Sequence, residues 1–195
     1  MQPVPPPSFR WPVAHEPRWS TASHRLAPPA LRPWLGLRGS LTAALKQLSR
    51  GRFHVDVLRQ YWGRPLPGES RALGIDPRAL CLIREVVLFG NQQPWVFARS
   101  ILPESALRGS LRRLRGLDNR PLGEILFADA RIQRSVIEAA HITPQRSTLP
   151  TLRALTAEPL WGRRSVFALD RRRLLVAELF LPAFPCRERP SYNNR

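Results

Sequence analysis

Leu174-Leu175-Val176-Ala177-Glu178-Leu179-Phe180-Leu181-Pro182 decides how the chain is read. Eight residues stand between an arginine-rich turn, Asp170 to Arg173, and a stopping proline, and seven of them are apolar. That is the length and composition of a well-buried strand, not of a helix. Successive side chains on a strand point to opposite faces. Leu174, Val176, Glu178 and Phe180 therefore share one face, and Leu175, Ala177, Leu179 and Leu181 share the other. Glu178 is a carboxylate set among hydrophobes on an inward face. Unpaired and ionised it would be costly there, so it must be protonated or meet a cation or a donor.

Working outward, Ser165 to Leu169 runs into the same turn, and the two runs form a closing hairpin. A second hairpin joins Leu80–Phe89 to Trp95–Leu102 through Gly90-Asn91-Gln92-Gln93-Pro94. On its first strand Leu80, Leu82, Arg84, Val86 and Leu88 share a face, so Arg84 is the cationic counterpart of Glu178. Arg99, between Phe97 and Ile101, repeats the pattern on the second strand. Phe53 to Trp62 alternates as a further strand that Pro65, Pro67 and Gly68 end, and Arg131 to Ala139 is strand-like. Helical spacing runs through Pro28 to Leu48 with a break around Gly36 to Ser40, which predicts two helices with Ser40 capping the second. Ala106 to Leu117 reads as a short basic helix, and Pro121 to Phe127 opens another with Pro121 in its first turn. His141 to Pro159, with its threonines and three prolines, reads as a long loop with a helical piece around Leu152 to Leu155. Hairpins in place of regular βαβ units predict an α+β fold, one domain with an antiparallel sheet flanked by helices.

Composition sets the bounds. A chain of 195 residues, 43% hydrophobic, supports one domain with a real core. Residues 1–25 are proline-rich and aperiodic, an expected disordered arm; 26–185 form the domain and 186–195 a flexible tail. The net charge of +17 suggests nucleic acid at first sight. Lys46 is the only lysine, however, and the arginines are spread along nearly every segment. Phosphate-binding proteins cluster both residue types, and no helix-turn-helix, zinc-finger or RNA-binding motif is visible. No nucleic-acid partner is expected. Cys81 and Cys186 are far apart, and the four histidines are scattered, so no metal site is expected. No apolar run is long enough to span a bilayer, and no secretory core opens the chain, so a cytoplasmic protein is expected.

Three charges on inward strand faces allow two readings. One is a structural ion pair of Glu178 with an arginine. The other is a small anionic ligand held inside the fold, the planar fork of an arginine taking its carboxylate and the glutamate accepting from its hydroxyl. No G-x-S-x-G elbow, glycine-rich phosphate loop or paired-carboxylate motif is present.

At these residues the chain resembles the chorismate–pyruvate lyase family of ubiquinone biosynthesis. The similarity lies in Leu41-Thr42, Leu82-Ile83-Arg84-Glu85-Val86, Pro94 to Ser100, Pro121-Leu122-Gly123-Glu124-Ile125-Leu126-Phe127, Leu160-Trp161-Gly162-Arg163-Arg164-Ser165 and Glu178 to Pro182. It covers roughly residues 30 to 185 and leaves out the arm; 142–158 looks like a loop insertion. The resemblance implies a sheet of about six strands. It implies elimination of pyruvate from chorismate to leave 4-hydroxybenzoate, by a monomer and without a cofactor. It implies that Arg84 holds the ring carboxylate, that backbone amides at Leu41 and Leu122 assist, and that Glu178 bonds the ring hydroxyl, with Arg99 a candidate supporting charge beside it. The UTRA effector-binding domains of GntR-type regulators resemble the same fold and perform no chemistry. A basic nucleic-acid module rests on charge alone.

Overall fold

The computed structural model describes residues 16–190. Its strands are β1 (Phe53–Gly63), β2 (Cys81–Gly90), β3 (Gln93–Pro103), β4 (Gln133–Arg134), β5 (Glu138–Ile142), β6 (Leu160–Leu169) and β7 (Arg172–Phe180). They form one antiparallel sheet in the order β1-β2-β3-β7-β6-β4, and β5 lies along the same edge of β6 as β4. The helices are α1 (Arg32–Leu35), α2 (Leu41–Leu48), α3 (Pro67–Leu73), α4 (Leu122–Ala128) and α5 (Pro150–Leu155). The fold is α+β, as the hairpins implied, with the expected sheet extended to seven strands by the short β4 and β5.

Both sheet faces are covered. On one, Trp34, Leu35, Leu41 and Leu45 of α1 and α2 pack on Val86, Leu88, Ala98 and Phe180. Farther along that face, Leu107 to Leu126 supplies leucines that pack on Leu82, Leu102 and Leu174. On the other face Leu73 of α3 meets Ile83, Ile101 and Leu175, and Leu152 of α5 meets Val87, Phe97 and Leu179. A strand covered on both sides needs apolar residues on both, which is why β2 and β7 read as near-continuous hydrophobic runs.

The turns are tighter than expected. Asn91 and Gln92 alone connect β2 to β3, with φ of +52° and +62°, the conformation that matches a two-residue hairpin to the strand twist. A Cβ on Gly90 would lie 2.1 Å from the Trp95 ring, so glycine is required where the indole folds back. Asp170 and Arg171 alone connect β6 to β7, with Asp170 at φ +56°, and the expected four-residue turn shrinks to two.

Other expectations shift in informative ways. Ser40 caps α2, its side chain accepting from the Ala43 amide. The basic helix from Ala106 is a 3-10 helix over Gly109–Gly116. Pro121 is the residue before α4, with ψ of 127°, not a member of its first turn. Pro67-Gly68 does more than end a strand: Pro67 opens α3, which Gly74 stops in the left-handed conformation. The Arg131–Ala139 run is split by Ser135 to Ile137 into β4 and β5.

Two segment assignments change. Residues 16–25, expected as part of a disordered arm, are tied to the domain. Ser20 exchanges both backbone hydrogen bonds with Ala139, and Trp19 packs with the core under α5. The rest of the arm, 1–15, and the tail from 191 lie outside the described residues. The 142–158 stretch, expected as a loop insertion, is built into the fold. Ile142 completes β5, Leu152 is fully buried, and the Thr151 hydroxyl donates to Glu85. No helix among the described residues is long and apolar enough to cross a membrane.

Candidate active site

Strand register brings the candidate charges together or keeps them apart. Arg84 stands opposite Ser100 and Val86 opposite Ala98; across the next pairing Ala98 faces Glu178 and Ser100 faces Val176. All six side chains emerge on the face that α1 and α2 cover. Arg84 and Glu178 sit on strands separated by β3, two strand spacings or about 10 Å apart across the sheet. A cavity lies between them. Arg84, Glu178, Ser100 and Ala98 form its floor, and the first turns of α2 and α4, through Thr42 and Leu122, close it from above. The two helix starts meet because residue 123 is glycine: a Cβ there would come within 2.8 Å of the Thr42 hydroxyl.

Arg84 is 2% exposed. Its Nη2 donates to the carbonyls of Asp118 (2.7 Å) and Arg120 (3.2 Å), which aim the guanidinium and leave it charged. Its Nε has no hydrogen-bond partner among the described residues, and no ion pair among them includes Arg84. Burial pushes its pKa below the ordinary arginine value, and the nearby Asp118 charge offsets part of that effect. An arginine still holds its proton at neutral pH, so the cavity keeps an uncompensated positive charge with a free donor.

Glu178 is the opposite case. Its Oε2 accepts from Arg163 Nε at 2.7 Å, and its side chain remains 16% exposed, toward the cavity. Arg163 lies directly across on β6 and is 1% exposed. With that pair neutral overall, the cavity carries the single charge of Arg84. Its chemistry suits a monoanionic carboxylate at one end, an apolar ring over Val86, Ala98 and Val176, and a hydrogen-bond donor at the Glu178 end.

One sequence-based site assignment, Arg99, needs restating. Leu122 lines the cavity. Leu41 opens α2 with its side chain in the core, which leaves its backbone amide as the group expected to serve the cavity, and the side chain of its neighbour Thr42 lines it. Arg99 does not support Glu178. It stands opposite Glu85 and Ala177, one residue out of phase with Glu178, and so belongs to the reverse face. There it is held by Glu69 at 2.7 Å and by Glu85. Burial alone would lower its pKa, but the bonds and charges of these glutamates outweigh it and raise the value above the ordinary one. Glu178 does pair with an arginine, as one of the two readings expected, and that arginine is Arg163; Thr42 and Ser100 join the lining.

Comparison with known proteins bears on this geometry. A family model described as chorismate lyase matches residues 15–189. A protein of Methylococcus capsulatus named "Probable chorismate pyruvate-lyase" is 45% identical over 155 residues, covering 78% of this chain and 95% of that protein. One from Azoarcus sp. with the same name is 44% identical over 172 residues, covering 85% of this chain and 90% of that one. Among solved structures, a GntR-family transcriptional regulator from Bacillus cereus is similar with a TM-score of 0.52 at 13% identity. That match covers 73% of this chain and 99% of the regulator, and it shows a shared fold alone.

Proposed function

The chain belongs to the chorismate lyase family, and from that premise we propose that it eliminates pyruvate from chorismate to leave 4-hydroxybenzoate, in the cavity between Arg84 and Glu178. The observation that carries this reading is the buried, partnerless Nε of Arg84, facing a glutamate across an apolar floor. Such a donor stays costly until a ligand oxygen meets it. The ring carboxylate of chorismate supplies that oxygen. The ring hydroxyl, para to the carboxylate, then reaches the free side of Glu178. Backbone amides at the starts of α2 and α4, near Leu41 and Leu122, complete the carboxylate's surroundings.

In the reaction the bond from the ring carbon to the enolpyruvyl oxygen breaks. The adjacent carbon that bears the hydroxyl loses its proton, the ring becomes aromatic, and enolpyruvate takes up a proton to become pyruvate. The protein makes and breaks no covalent bond of its own. It holds the ring by its two ends and places a negative charge beside the hydroxyl as the ring turns phenolic. Aromatisation drives the elimination, so the proposed chemistry calls for no cofactor. We further propose that the reaction serves ubiquinone biosynthesis in the cytoplasm and that the enzyme acts as a monomer, readings the family resemblance supports, and that it has no nucleic-acid partner, which the dispersed arginines support.

Incubating the protein with chorismate and following pyruvate and 4-hydroxybenzoate in equal amounts tests the reading. Chorismate that binds and is recovered intact would instead assign a non-catalytic effector-binding role of the UTRA type.

A further inference from the structure

Arg163 is the residue on which the position of Glu178 depends, and its contacts exceed those of a simple counter-ion. Its Nε donates to Glu178 Oε2 at 2.7 Å, while its Nη1 donates to two backbone carbonyls, Trp34 at 2.9 Å and Leu37 at 2.8 Å. Those carbonyls belong to the end of α1 and to the short loop that leads to Ser40, the cap of α2. One planar group thus joins three elements: β7 through Glu178, β6 through its own backbone, and the segment that presents Thr42 to the cavity. The guanidinium is rigid, so fixing Nη1 on two carbonyls also fixes the direction of Nε. The Glu178 carboxylate is thereby turned with one oxygen on Arg163 and the other, Oε1, without a hydrogen bond to any described residue.

Behind the pair the two strands run close together. Gly162 precedes Arg163, and a Cβ at that position would stand 3.0 Å from the Leu179 side chain and 3.1 Å from the Glu178 carbonyl. β6 therefore approaches β7 closely on the reverse face, behind the residues that carry the pair. Other charges on these strands point away: Arg164 bonds Glu138 and the Gly68 carbonyl on the reverse face.

Building on the proposed function, we infer that Arg163 is a positioning residue that aims the free oxygen of Glu178 at the hydroxyl of the ring, and so sets the enzyme's preference for a para-hydroxylated carboxylate. A lysine in its place keeps the charge but offers no fork. It can satisfy the carbonyls or the carboxylate, not both in the same geometry.

Calorimetry with benzoate and 4-hydroxybenzoate separates this role from a structural one, because benzoate needs Arg84 alone. Wild-type protein is expected to bind 4-hydroxybenzoate roughly tenfold or more tightly than benzoate, the ratio expected for one hydrogen bond to a charged acceptor. Arg163→Lys should keep its benzoate affinity and lose most of the preference, to within about threefold. In a Glu178→Gln background the same change should leave the ratio where Glu178→Gln already put it, because the two act as one unit. If Arg163→Lys keeps the wild-type ratio, or weakens both ligands equally with a lower Tm, Arg163 only braces the fold and the inference fails. Arg163→Gln, measured the same way, gives a second variant if the lysine form is unstable. A wild type that binds both ligands alike would instead remove Glu178 from the hydroxyl, a failure of the proposed function and distinct from the others.

Discussion

At the scale of single residues, the proposed site consists of a buried cation and a largely buried carboxylate with opposite needs. Arg84 has a donor to spare and Glu178 has an acceptor to spare, and the proposed ligand lies between. Arg84→Ala should weaken 4-hydroxybenzoate binding by about 1.5–3 kcal/mol, the range for a hydrogen bond to a charged group, and raise KM with the fold retained. Titration calorimetry with an unchanged product affinity would remove Arg84 from the carboxylate. Glu178→Gln keeps shape and an acceptor but loses the charge that strengthens its bond as the ring becomes phenolic. Its kcat should fall roughly tenfold, about 1.4 kcal/mol of transition-state stabilisation. Full turnover with a much lower Tm would make Glu178 a structural partner of Arg163 and nothing more. Cys81 illustrates a buried group with no such role. Burial, then the Glu69 charge, pushes its thiol pKa from 9.0 to about 11. Above pH 9 the unfolded chain releases this proton while the native state keeps it, so stability should fall as pH rises from about 9 to about 11. The comparison is with Cys81→Ala, whose unfolding free energy should decline less over that window. In native protein at neutral pH, a thiol reagent should label the half-buried Cys186 well before Cys81.

At the scale of elements, the helix starts matter as much as the strands. α2 and α4 touch through Thr42 and Gly123, and Lys46, a turn farther along α2, pairs with Glu124, the residue after Gly123. Gly123→Ala should favour the helix by up to about 1 kcal/mol of propensity yet push Thr42 aside. The expected result is a Tm near that of the wild type and a KM raised severalfold; unchanged KM would show that the two helices part without disturbing the cavity. This scale also explains what the sequence did and did not disclose. A lone charge in an apolar alternation is visible within one strand, so Arg84 and Glu178 could be found without any partner being known. Whether two strands present their charges to the same side depends on the turn between them. The β2–β3 hairpin pairs Arg99 with Glu85, and parity then places Arg99 behind the sheet. Arg163 stayed hidden for a related reason. A four-residue turn after Leu169 would set Ser165 against Glu178, whereas the two-residue turn at Asp170-Arg171 sets Arg163 there. The Gly162-Arg163-Arg164 run also resembles a loop in composition. Its arginines are tolerable in a strand because each finds a glutamate, Glu178 in front and Glu138 behind.

At the scale of the whole molecule, the fold is closed by segments whose composition gave little sign of order. Trp19 packs on the reverse face, with its ring beneath the Arg164 guanidinium, and Glu16 accepts from the Gly68 amide. A variant lacking residues 1–15 should melt like the full chain. One lacking residues 1–25 loses Trp19 and the Ser20–Ala139 pairing and should melt several degrees lower, roughly what the loss of 1–2 kcal/mol does to a domain of this size. Equal melting temperatures for the two would mean that 16–25 adds no stability. Proline and tryptophan next to arginine carry no periodic signal, and so this strap was legible only once its partners on β5 and α3 were in place. The back-to-back arrangement of the sheet has one more consequence. Arg84, Arg163 and Glu178 serve the cavity side, while their chain neighbours Glu85, Arg164 and Ala177 serve the rear, where Glu85 and Arg164 meet their own counter-charges. Such strands accept exchanges of one side chain for another far better than changes of length. Gaining or losing a single residue within β2, β3, β6 or β7 would transpose every later side chain in that strand, carrying the front charges to the back and the rear charges into the cavity. The lineage of this enzyme is thus free to drift in identity along its central strands, while their lengths stay locked together, and libraries built to diversify it should vary letters and never count.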